Sequence, residues 1–103
     1  MVKLVVLFRQ PDAAPLDYDQ HYNDFLMKID HLPGMRRKAV SNVYAGPGGF
    51  VPYRSVVEAY FDTPGALQAA LISPPGVEAG SALNAFAGAD AVILFAEVLE
   101  ENY

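Results

Sequence analysis

Both histidines of the chain lie in one segment, residues 17–32, DYDQHYNDFLMKIDHL. His21 has Asp17 four residues before it and Asp24 three after it. On a helix both carboxylates would share its flank. That set could be an acid at the mouth of a cleft or a surface ion pair. His31 falls at the end of the same segment, where a cationic side chain interacts well with a helix C-terminus. The two do not make a metal site, because a helix wheel places them on different faces and no third ligand is implied.

Glu58 stands in the run 54–61, RSVVEAYF, where alternation puts Arg54, Val56, Glu58 and Tyr60 on one side. A carboxylate on an otherwise apolar strand needs a partner. Arg54 is too far along the strand, so Arg36 or Arg37 from a neighbouring strand is expected to supply it. Glu58 is then a structural ion pair or a general base. Six tyrosines and six phenylalanines, with no tryptophan, make up the aromatic content. Tyr18, Tyr22, Phe25, Tyr44, Tyr60 and Phe86 are expected to border the space between helices and sheet. Rings with directional hydroxyls there would suit a small apolar or aromatic molecule, or would simply pack the core. The candidates for proton transfer are His21, Tyr22 and Glu58. Those for ligand contact are the six aromatics.

These residues need a scaffold, and four runs rich in β-branched and aromatic residues read as strands: 2–9, 37–45, 54–61 and 91–99. The histidine segment between the first two reads as a helix, capped by Asp17 or the residues just before it and ended by Pro33-Gly34. Its apolar face carries Tyr18, Tyr22, Phe25, Ile29 and Leu32. The stretch AGPGGFVPY, between the second and third strands, is a loop and not a phosphate cradle, since no Gly-Lys-Ser/Thr follows. Thr63-Pro64 starts a second helix, which breaks at Ser73-Pro74-Pro75 and continues as a short one over roughly 75–86. The order β-α-β-β-α-β predicts a ferredoxin-like α+β fold, an antiparallel sheet with helices on one face and the first and third strands in the centre.

At 103 residues the chain suits one domain, 1–103. The first, third and fourth strands are apolar at successive positions, whereas a sheet covered on one side should alternate. A second copy packed sheet on sheet is the expected cover. A net charge of −5 argues against nucleic acid, and no run approaches the roughly 18 apolar residues of a membrane span. The absence of cysteine suits a cytoplasmic protein and removes thiol chemistry.

The segments LFRQPDAAPLDYDQHY, LPGMRR, EAYFDTPGALQAALISPPG and ALNAFAGADAVILFAEV, in this order and spacing, resemble the EthD family of small dimeric α+β barrel proteins. The resemblance implies a homodimer whose two sheets form a barrel, with a cleft in each subunit between sheet and helices. It also implies a setting in the degradation of ethers and other xenobiotics. Related barrels include lactone isomerases, polyketide cyclases and cofactor-free monooxygenases, so no metal or organic cofactor is expected. Many family members carry His-x-Pro-Leu on the first helix, but this chain has Phe25-Leu26-Met27-Lys28. Phe25 takes the histidine position and Met27 the proline position, so that histidine's role does not carry over. Two functions stay open: a cofactor-free enzyme of catabolic or polyketide type, and a non-catalytic carrier of an apolar metabolite.

Overall fold

The computed structural model describes residues 1–11 and 16–102. Its elements are β1 (Val2–Arg9), α1 (Tyr18–Ile29), β2 (Arg37–Asn42), β3 (Tyr53–Phe61), α2 (Pro64–Ile72), α3 (Pro74–Phe86) and β4 (Ala91–Glu97), with a short 3-10 turn at Gly88–Asp90. The strands form one antiparallel sheet in the order β2-β3-β1-β4, the expected ferredoxin-like α+β arrangement. The four proline-loop positions 12–15 lie outside the described residues.

Several boundaries differ from the sequence reading, each for a local reason. β2 stops at Asn42 rather than 45: Val43 gives a last backbone bond to the Arg54 carbonyl, and the glycines at 48 and 49 then turn with positive φ. β4 ends at Glu97, which pairs with Val2 at the start of β1, and Val98 gives a last backbone bond to the Met1 carbonyl. α1 ends at Ile29, so Leu32 packs into the core from the following turn. Asp17 occupies the cap position of α1 but makes no capping bond, since its carboxylate goes to His21.

The break between α2 and α3 is built by side chains. Thr63 Oγ1 accepts from the Ala66 N–H and starts α2, with Pro64 in the first turn. Ser73 closes α2 and opens α3: its hydroxyl donates to the Ala70 carbonyl at 2.5 Å and accepts from the Gly76 N–H at 3.2 Å. Gly76 sits where the two helices touch, and a Cβ there would lie 2.1 Å from the Ala70 carbonyl oxygen. Only glycine fits that approach.

Alternation sorts the strand residues into two faces. Val2, Leu4, Val6 and Phe8 of β1, with Ser55, Val57, Ala59 and Phe61 of β3, are buried on the helix side. Lys3, Val5 and Leu7 lie opposite Tyr60, Glu58 and Val56, and also opposite Ala96, Leu94 and Val92 of β4. Directly paired residues share a face, so this second set lies on the side away from the helices.

Candidate functional site

The helix–sheet layer encloses an apolar cavity of ≈ 180 Å³. Its sheet wall is Leu4 and Val6 of β1 with Ile93 and Phe95 of β4. α1 contributes Phe25 and Ile29, with Leu32 just beyond its end, and α2 contributes Leu71. α3 contributes Gly76, Ala79, Gly80 and Leu83, and three of these four are too small to fill the space in front of them. β4 is an edge strand, and its Ile93 and Phe95 are 53% and 62% exposed, so the cavity opens along that edge. Among the described residues, no ionisable side chain lines it.

Among the predicted ligand contacts, Phe25 alone lines this cavity; it is 1% exposed and presents a hydrocarbon ring. Tyr18, Tyr22 and Phe86 are brought together beside it, around Phe8. The Phe8 ring meets Tyr22 edge-on at 5.0 Å, Phe25 at 5.9 Å and Phe86 in a stack at 6.0 Å. Tyr18 closes the group against Phe86 at 5.4 Å. Such contacts hold rings in fixed mutual orientation, so these aromatics form a packed end wall rather than an open lining. Sequence reasoning found four of the five rings and missed Phe8, whose place at the end of an alternating strand was the available signal.

Tyr44 and Tyr60 do not border this space. Tyr44 is 98% exposed in the loop after β2. Tyr60 and Glu58 face away from the helices, so they share no cavity with Tyr22 or Phe25. The expected arginine partner of Glu58 is also corrected. Lys3 Nζ lies 2.5 Å from Glu58 Oε2, because the β1–β3 register sets Lys3 diagonally across from it. Arg36 pairs instead with Asp62 at 2.6 Å, and Arg37 lays its guanidinium over the Tyr60 ring at 4.1 Å.

His21 lies on the outer flank of α1. Its Nε2 is 2.9 Å from Asp17 Oδ2, and its ring stacks on Phe86 at 6.3 Å. Asp24, the other expected neighbour, pairs with Lys28 at 2.8 Å. His31 is exposed in the turn just past α1. Among the described residues, no three His, Cys, Asp or Glu side chains come together in a metal-binding group.

The ionisable groups that are perturbed lie around the site rather than in it. Burial pushes the Tyr18 phenol above its usual range, against the opposing pull of the Arg54 guanidinium 4.6 Å over its ring. Arg54 also pairs with Asp19 at 2.5 Å and so ties β3 to the start of α1. On the other face, the hydrogen bond to Glu58 raises the Lys3 ammonium, with desolvation opposing it. Two buried hydroxyls, Tyr22 Oη and Ser55 Oγ, have no hydrogen-bond partner among the described residues. Ser55 escaped sequence reasoning altogether.

No family model matches the chain, and no curated protein matches it. Solved structures do. An ethyl tert-butyl ether degradation (EthD) family protein from Bacillus halodurans is 29% identical, with a TM-score of 0.89 over 96% of this chain and 99% of that one. A dimeric protein of ferredoxin-like fold from Bacteroides fragilis is 24% identical, with a TM-score of 0.70 over 94% and 95% of the two chains. SnoaB, a cofactor-independent oxygenase from Streptomyces nogalater, is 17% identical, with a TM-score of 0.69 over 97% and 94%. The last two share the fold. The first, similar in sequence and fold across nearly its whole length, bears out the resemblance to the EthD family.

Proposed function

We propose that this chain is an EthD-like cytoplasmic homodimer that holds a small apolar or aromatic molecule in the cavity between α1, α3 and β4, without transforming it. The observation that carries this reading is the lining itself: among the described residues every side chain that borders the cavity, Phe25 included, is apolar, and none can move a proton. An apolar cavity of about 150 Å³ is known to take a benzene-sized guest, so ≈ 180 Å³ suits one substituted ring. The dimer rests on the apolar residues of the uncovered sheet face, Val5, Leu7, Val56, Val92 and Leu94, which a second sheet would bury. The related ferredoxin-like protein from Bacteroides fragilis is itself dimeric.

A second reading keeps catalysis, in a xenobiotic-degradation setting, with Tyr22 and His21 moving protons on the helix side and no part for Glu58 on the far face. The unpartnered Tyr22 hydroxyl favours it. Titration calorimetry with toluene separates the two. A carrier keeps its affinity in His21→Ala and Glu58→Gln and loses it in Ala79→Leu, which fills the cavity. Turnover of any bound compound that vanishes in His21→Ala or Tyr22→Phe would establish the enzyme instead. A monomeric mass by light scattering at micromolar concentration would rule out the dimer.

A further inference from the structure

Tyr22 and Ser55 are 9% and 1% exposed, and they are the two buried side-chain polar groups without a partner among the described residues. They come from different elements, α1 and β3, yet both adjoin one residue. Phe8 pairs with Ser55 across the β1–β3 ladder, and its ring packs edge-on against Tyr22 at 5.0 Å. Leaving a buried hydroxyl unpaired is unfavourable, and a phenylalanine or an alanine would fill either place without that cost. Two such groups flanking one ring mark a place where a partner belongs. Arg54, the cation that reaches this end of α1, is bound to Asp19 and lies over Tyr18, so it is already engaged.

We infer that Tyr22 and Ser55 form the polar end of the helix–sheet site and hold one neutral oxygen, a carbonyl or hydroxyl, of the bound molecule. The inference rests on the cavity proposed above. The Phe25 ring stands between the cavity and the two hydroxyls, lining the one and packing 5.9 Å from Phe8. On this inference binding must turn that ring away from Phe8, so that a guest lies with its ring among Leu4, Ile29 and Leu83 and its oxygen beyond Phe25. The ligand class is thereby narrowed to small aromatic ketones and phenols. Hydrocarbons leave the hydroxyls unpaired, and carboxylates bring a charge that nothing there balances.

Titration calorimetry with toluene, acetophenone, p-cresol and benzoate tests this. Acetophenone and p-cresol are expected to bind about tenfold tighter than toluene, with benzoate failing to bind. Tyr22→Phe and Ser55→Ala should each erase that preference while leaving toluene within about twofold. Both variants remove an unpartnered group and keep the packing, so their melting temperatures should not fall, which separates lost binding from lost fold. Equal affinity for toluene and acetophenone, or a preference that survives both substitutions, overturns the polar end and leaves the cavity standing. Failure of all four probes to bind overturns the cavity together with it.

Discussion

On the helix side of the sheet, Val2, Leu4, Val6 and Phe8 of β1 are buried under α1, α2 and α3, while Lys3, Val5 and Leu7 of the same strand remain half-exposed on the other side. The helix side is closed by rings and aliphatics from within the chain, and it departs from apolar packing at the cavity and at two hydroxyls. The outer side mixes aliphatics with a charged knot, in which Lys3 pairs with Glu58 and Arg37 covers Tyr60. One face therefore derives its stability from packing within the subunit. The other is prepared for packing against a second layer, with its charges already neutralised or stacked so that covering them costs less.

Phe8→Ala should break the first face. The ring is fully buried and touches three others, so about 3–5 kcal/mol of stability is expected to go, read as a large fall in the urea midpoint. Val5→Asp should break the second and spare the first. An unpaired carboxylate beside Glu58, in the middle of the proposed interface, should cost about 4 kcal/mol of association, roughly a thousandfold in the dimer constant by sedimentation. A Val5→Asp variant that stayed dimeric would mean the sheets do not meet.

Alkaline pH addresses both faces at once. Tyr18, on the helix side, is raised above 10.0 by burial, and Lys3, on the outer side, is raised above 10.5 chiefly by its hydrogen bond to Glu58. A raised folded pKa favours the protonated native state. The associated stability is thus intact below about pH 10 and lost as pH rises through the two raised values. Thermal melts between pH 9 and 11.5 should show this decline, and Tyr18→Phe and Lys3→Met should each remove one component.

Smaller effects sharpen the contrast. At Gly80 a Cβ meets nothing within 4 Å, so Gly80→Ala should add about 0.5–1 kcal/mol by restricting the unfolded chain. His21→Ala should change stability by less than about 0.5 kcal/mol in chemical denaturation, since its pair with Asp17 is exposed.

Element order and most boundaries could be read from periodicity and caps, because Thr63-Pro64, Ser73-Pro74 and Pro33-Gly34 are strong local signals. The buried face of α1 was legible for the same reason: a helix with polar residues all along its other side has one face to bury. The sheet was harder. Both parities of β1 and β3 are apolar, so alternation grouped Glu58 with Tyr60 and Val56 but could not say which group meets the helices. That depends on how the crossover helices pack, a tertiary property. A cleft between helices and sheet was expected from the family resemblance, but its α3 wall was missed because it is made by what α3 lacks, the bulk absent at Gly76, Ala79 and Gly80. The partner of Glu58 was missed because register, not type, decides which cation lies diagonally across.

Ser73 joins α2 to α3 with no residue to spare, ending one helix and beginning the next through a single hydroxyl. One residue inserted at this joint would turn α3 by about 100° and carry Gly76, Ala79 and Leu83 off the sheet. The joint thus fixes chain length as strictly as it fixes chemistry. Changes in chain length that preserve this fold should be confined to its exposed loops, such as 43–52.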